Sequence, residues 1–222
     1  MANALILFVI IPAENTSQNR LMPFLRYGES VALHGCFARD VYQKACASGA
    51  DVYVFYTPRD AGAAFKKLLG PDAVLLPQHG SDLGQRMKNA ISSVLRMGYD
   101  NVLLMGTDIP HIHTETILNA FDQLENKDVV ICPALDGGYY LIGMKREYDS
   151  IWNLKRYGTN TVMYDTLQHI KAENLSASVG QMYYDVDREE DLKQLWGDIQ
   201  RGAVCNCPET IAYLKSIRHK LE

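Results

Sequence analysis

An α/β domain, with a mixed but mostly parallel sheet and helices on both faces, is the architecture this 222-residue sequence predicts. Three observations lead there. Apolar runs of strand length alternate with longer helical stretches as far as Ala134. The passage "DGGYYLIGM" at 136–144 then moves from loop to strand with no helix between. A parallel crossover needs about a dozen residues or more, so this strand runs antiparallel to a neighbour. Finally, 47% hydrophobic content at this length supplies one core, which suits a single domain over residues 1–222.

The elements follow in order. Residues 5–11 form a buried first strand inside "MANALILFVIIPAEN", which has no basic residues ahead of its apolar run and meets Pro12 too early to span a bilayer. Residues 29–48 are helical and stop before Gly49; 51–57 are rich in β-branched and aromatic residues and form a strand. A helix at 60–69 ends at Gly70-Pro71, and 73–77 is a short strand. In "SDLGQRMKNAISSVLRMG", Ser81 or Asp82 can cap a helix whose Leu83, Met87, Ala90, Ile91, Val94 and Leu95 share one face. A strand at 101–106, a helix at 114–124 capped by Thr114, and a strand at 128–134 complete the alternation. Beyond the 136–144 strand, the pattern predicts helices at 161–170, 188–200 and 208–220, with an extended piece at 182–187.

Composition narrows the partners. A net charge of -4 and no basic stripe argue against nucleic acid. An odd count of cysteines without framework spacing predicts reduced thiols in a cytoplasmic protein. Cys205 and Cys207 form a lone C-x-C without a second pair, and chance explains it better than metal.

Three acidic loops follow strands: "GTDIP", "ALDGGYY" and "YYDVD". Ligands of such sheets bind beyond the strands' carboxyl ends, where Asp108, Asp136, Asp185 and Asp187 could converge. Clustered carboxylates repel, and a hard divalent cation, Mg²⁺ or Mn²⁺, is the usual remedy. Such a cation neutralises a leaving diphosphate. The bland alternative is that each is a turn or cap residue, for Asp185 and Asp187 as readily as function. The glycines of "DGGYY" let a ligand approach the backbone; Tyr139 could face a sugar or base, with Tyr140 turned to the core. "HIH" at 111–113 reads as a solvent-facing loop rather than a metal site. The loop "PAENTSQNRLMPF" should lie over the crevice, where Arg20 suits phosphate, but it holds no glycine for a phosphate nest.

These residues resemble a known family. "GSDLGQRM", "GTDIP", "DGGYYLIG", "YGTNTV" and "YDVD", in this order, make most of the chain similar to the small bacterial GT-A-type glycosyltransferases of the DUF2064 group, distant relatives of nucleotidyltransferases. The resemblance implies a nucleotide-diphospho-sugar transferase fold. It places Asp108 at a metal, which by the reading of the acidic loops above Asp185 and Asp187 would share. Asp136 becomes the candidate catalytic group, and Pro12, Arg20, Gly106, Thr107, Gly137, Gly138 and Tyr139 contact substrate. The first loop departs from the family's K-A-P-x-P-G-x-V-K-T-R-L-x-P: Ile10 and Gln18 stand for lysines and Asn15 for glycine, while Pro12, Arg20, Leu21 and Pro23 match. His111 replaces a common acidic residue. The implied activity is metal-dependent transfer from a nucleotide-activated sugar to an unidentified acceptor, with phosphate held weakly without metal. Two alternatives stand beside it: a non-catalytic sugar-nucleotide-binding protein, and a nucleotidyltransferase acting on a small phosphorylated acceptor.

Overall fold

The computed structural model describes residues 1–11, 20–22, 24–154 and 156–221. Seven strands form one sheet in the order β3-β2-β1-β4-β6-β5-β7. They are β1 (Asn3–Ile10), β2 (Asp51–Thr57), β3 (Val74–Pro77), β4 (Asn101–Gly106), β5 (Val129–Pro133), β6 (Tyr139–Met144) and β7 (Ala177–Val179). Strands β3, β2, β1 and β4 are mutually parallel, and β5 and β7 pair in parallel. β6 is inserted antiparallel between β4 and β5, as its direct loop-to-strand entry requires.

Strand alternation divides the core. Leu5, Leu7 and Val9 face one side of β1, where α1 (Tyr27–Ala47), α2 (Gly62–Leu69) and α4 (Thr114–Glu125) cover the sheet. Ala4, Ile6 and Phe8 face the other, under α3 (Leu83–Leu95) and α5 (Val162–Ala172). A third cluster packs Leu33 and Phe37 of α1 against Leu192, Leu195 and Trp196 of α6 (Glu189–Gln200) and Leu214 of α7 (Pro208–Ser216). Both helix layers therefore bury apolar stripes against a sheet that is apolar on both faces. Among the described residues, no helix is long and apolar enough to cross a membrane.

Local expectations were corrected in four places. The cap of α4 is His113, and Thr114 is its first helical residue. The extended piece at 182–187 makes only an isolated bridge, Tyr183 to Ala134, and a strand not expected from the sequence precedes it at Ala177–Val179. The last helix ends at Ser216, followed by a 3₁₀ turn at Arg218–Lys220. Of the "HIH" pair, His113 is exposed but His111 is buried against the Tyr184 ring, centroids 4.3 Å apart. Burial pushes the His111 imidazole down to about 4. All five cysteines are free thiols.

Topology places the site. The sheet grows away from β1 in both directions, toward β2 and toward β4, so a crevice opens at their carboxyl ends. Because β6 is antiparallel, its first residues arrive at that same rim. Met105 pairs with Leu141, so the 136–139 passage begins beside the end of β4.

Candidate active site

A cleft of about 290 Å³ opens at this rim. Gly106, Thr107, Asp108, Asp136, Gly138, Tyr139, Asp185 and Asp187 all line it. Three loops distant in sequence thus meet as expected. The loop after β4 is braced from below: the buried Lys44 ammonium of α1 donates to the Pro110 carbonyl. It is also tied sideways, the Val186 N–H donating to the Asp108 carbonyl at 2.8 Å. That bond flanks Asp108 with Asp185 and Asp187. Neither of the latter caps α6, since the Asp191 carboxylate accepts from the N–H groups of both Asp187 and Arg188. The cap reading for these two aspartates falls away.

The three carboxylates are costly neighbours. Burial, with Asp185 adding like charge, raises Asp108, and His34 only partly offsets this. Burial and the charges of Asp187 and Asp136 push Asp185 up to about 6. Burial and Asp108 push Asp187 up to about 6 against the opposing pull of Arg20 and His34. Arg20 Nη1 reaches Asp187 Oδ2 at 3.3 Å, with both side chains partly exposed, so this pair contributes little to stability. Hard oxygen donors held together in partial burial fit a divalent cation. Among the described residues, no three His, Cys, Asp or Glu side chains stand close enough to hold one by themselves. A cation here would complete its shell with phosphate oxygens and water, as Mg²⁺ commonly does.

Asp136 and its glycines divide in role. Asp136 Oδ1 accepts the Gly138 N–H at 2.8 Å, an Asx turn that shapes the loop. Gly137 does not line the cleft. It adopts φ 89°, and a Cβ there would stand 2.2 Å from the Asn160 carbonyl oxygen. Its glycine is required by the close approach of the 157–161 passage, which corrects its expected contact with substrate. Tyr140 is buried, its hydroxyl donating to the Gln181 carbonyl at 2.9 Å. Ile10 lines the cleft, while Pro12, Asn15, Gln18 and Pro23 lie outside the described residues.

Sequence reasoning missed His34. It lies half-buried on α1 and lines the cleft. Its Nδ1–H donates to the Ser30 carbonyl at 2.8 Å, which leaves Nε2 as the nitrogen available to a ligand. The available signal was a polar residue beside the buried Leu33–Phe37 stripe. Also missed was the link between two quoted motifs. Tyr157 lies over Gly84, where a Cβ would stand 2.3 Å from the tyrosine ring, and Tyr157 lines the cleft with Leu83 and Met87 of the same helix as Gly84.

The model of the DUF2064 family, described as uncharacterized protein conserved in bacteria, matches residues 41–159, more than half of the chain. The chain belongs to the DUF2064 family. Its fold is closely shared by a protein from Desulfovibrio desulfuricans G20 provisionally assigned as a nucleotide-diphospho-sugar transferase. That match has 30% identity and a TM-score of 0.91, over 100% of this chain and 97% of that one. A 2-phospho-L-lactate guanylyltransferase of Methanosphaera stadtmanae is 28% identical over 87% of this chain and 84% of its own length. A CMP:2-keto-3-deoxy-manno-octonic acid synthetase complexed with CTP shares the fold alone, at 9% identity and a TM-score of 0.60, over 91% of this chain and 100% of that one. The DUF2064 chain thus has the nucleotide-diphospho-sugar transferase fold, and its similarities include nucleotidyltransferases as well as the expected sugar transferases.

Proposed function

We propose that this DUF2064 protein is a divalent-cation-dependent transferase of nucleotide substrates, and that its first reaction is nucleotidyl transfer. The observation that carries the reading is the convergence of Asp108 with the Asp185–Asp187 segment at the β1–β4 rim, unneutralised among the described residues except by Arg20 and His34. In it, an acceptor oxygen attacks the α-phosphorus of a nucleoside triphosphate and diphosphate leaves. Asp108 and a carboxylate of the Asp185–Asp187 segment would hold a Mg²⁺ or Mn²⁺ ion, which when bound neutralises phosphate charge. Arg20, released from Asp187 as the ligand enters, pairs with a phosphate oxygen. His34 meets the ligand through Nε2, its Nδ1 being engaged with Ser30. Asp136, at the lip, orients the acceptor or takes its proton. The guanylyltransferase relative supports this order of preference.

Glycosyl transfer remains as a second reading because of one observation. The segment "PAENTSQN" at 12–19 contains no Lys or Arg, and a nucleoside diphosphate-sugar needs fewer cations than a triphosphate. A direct comparison separates them. The protein is titrated calorimetrically with GTP, CTP, UDP-glucose and GDP-mannose, each with Mn²⁺ and with chelator. Nucleotidyl transfer requires cation-dependent triphosphate binding that Asp108→Asn weakens at least 100-fold. Binding of sugar nucleotides alone transfers the assignment to the second reading, and equal binding in chelator overturns both.

A further inference from the structure

The loop that carries Asp108 is held by parts of the chain remote from it in sequence. Every backbone carbonyl from Asp108 to Ile112 accepts a hydrogen bond. The Val186 N–H donates to Asp108 at 2.8 Å, and the Ile112 N–H closes a turn on Ile109 at 3.2 Å. The Lys44 ammonium serves Pro110. The last two carbonyls share one donor group: Asn206 Nδ2 donates to His111 at 3.1 Å and to Ile112 at 2.9 Å. Between Thr107 and Ile112 only Asp108 is partly exposed, and it lines the cleft. The segment is a fixed pedestal with one carboxylate at its open edge. Asn206 is itself anchored. It is the middle residue of the C-x-C at 205–207, and the buried Cys207 beside it stands at the N-cap of α7. The first turn of α7 donates to Asp40, which lies one turn before Lys44 on α1. One helix therefore fixes both the pedestal and the residue that clamps it.

We infer that Asn206 is a positioning residue: through the 108–112 backbone it sets where the Asp108 carboxylate stands in the cleft. Asn206 does not line the cleft and acts only through the loop. Carbonyls can only accept, and a primary amide brings two N–H donors on one planar nitrogen, so it can bridge consecutive carbonyls that a hydroxyl would serve one at a time. The consequence for a cation rests on the transfer reading. Ion–ligand distances tolerate little error, and groups that hold a ligand from behind tune affinity without touching the ion.

The test compares whole-chain wild type with Asn206→Leu, which removes the donors at similar size, and with Val94→Ala. Val94 is buried on the opposite face of the sheet, so its truncation lowers overall stability without touching the loop. Asn206→Ser, which keeps one donor, serves if the leucine variant does not fold by circular dichroism. In metal-free protein, NMR hydrogen exchange is read at the Val186 and Ile112 amides and scaled by each variant's urea midpoint. Asn206→Leu should accelerate both amides about ten-fold beyond Val94→Ala. Mn²⁺ alone is then titrated by the loss of its free-ion EPR signal; Asn206→Leu should weaken binding about ten-fold and Val94→Ala should not. If both variants loosen these amides alike, or the loop loosens with Mn²⁺ affinity unchanged, the inference is overturned. Failure of the transfer reading looks different: wild type takes up no Mn²⁺, or Asp108→Asn takes it up equally well. The exchange comparison then decides the role of Asn206 by itself.

Discussion

Asp40, in the interior, and Asp108, half-buried at the cleft, have opposite surroundings. Asp40, on α1, is 1% exposed and fully engaged. Its Oδ2 accepts the Thr210 N–H at 2.8 Å and the Thr210 hydroxyl at 2.6 Å, and its Oδ1 accepts the Glu209 N–H at 3.1 Å. The N-terminus of α7 supplies these donors, and its dipole favours the negative charge. Asp108 has carboxylates for neighbours instead, with His34 as partial relief. One aspartate pins two helices together; the other lines a cleft among like charges. The difference teaches that burial alone does not mark a functional carboxylate. What sets Asp108 apart is burial beside like charge.

The largest expected effect tests the satisfied side. Asp40→Asn replaces a charge that serves three donors with an amide that offers one acceptor oxygen. It should destabilise the fold by about 2–4 kcal/mol, read as a lowered urea midpoint at unchanged slope. An effect below ~0.5 kcal/mol would show that α7 is held by Leu214 and its apolar neighbours and not by this carboxylate.

The same substitution at the other site should have the opposite sign. Asp108→Asn, in chelator and without nucleotide, relieves repulsion from Asp185 and should stabilise by about 0.5–2 kcal/mol. Destabilisation there would erase the contrast between the two aspartates.

A smaller effect sharpens the comparison by pH. Asp185 is raised from 3.8 to about 6, so the folded state holds its proton more tightly than the unfolded chain. That contribution is complete below pH 3.8 and is lost as pH rises through 6. His111, lowered from 6.5 to about 4, acts oppositely, its contribution being lost as pH falls below 6.5. Comparing wild type with Asp185→Asn cancels the histidine. The variant should be the more stable at pH 7 in chelator, and its advantage should shrink toward pH 5. A pH-independent difference would place the effect in packing rather than in charge.

Most of the layer order was legible because its strands are uniformly apolar and its helices periodic. β4 was read to the residue, and the antiparallel β6 followed from loop length alone. β7 was missed because it is three residues long and half-exposed at the sheet edge, without the apolar run that marks the other strands. Met182 to Tyr184 offered a stronger strand pattern, yet those residues serve to carry Asp185 and Asp187 to the rim. Asp108 was found from its strand-end position. His34 and the packing of Tyr157 on Gly84 were not, because their meaning depends on which groups from other elements come near, and local pattern does not record that.

Tyr157 resting on Gly84 also constrains how this cleft can change over time. Alanine at Gly84 would ordinarily favour α3 by about 0.5–1 kcal/mol, but its methyl would collide with the tyrosine ring. The order of substitutions therefore matters. Once Tyr157 has shrunk, Gly84→Ala becomes permissible and even favourable, and the enlarged methyl then obstructs the ring's return. A lineage that trims the tyrosine to admit a bulkier ligand would thus pass through a ratchet, its older cleft shape closed off by a mutation on a helix far away in the chain.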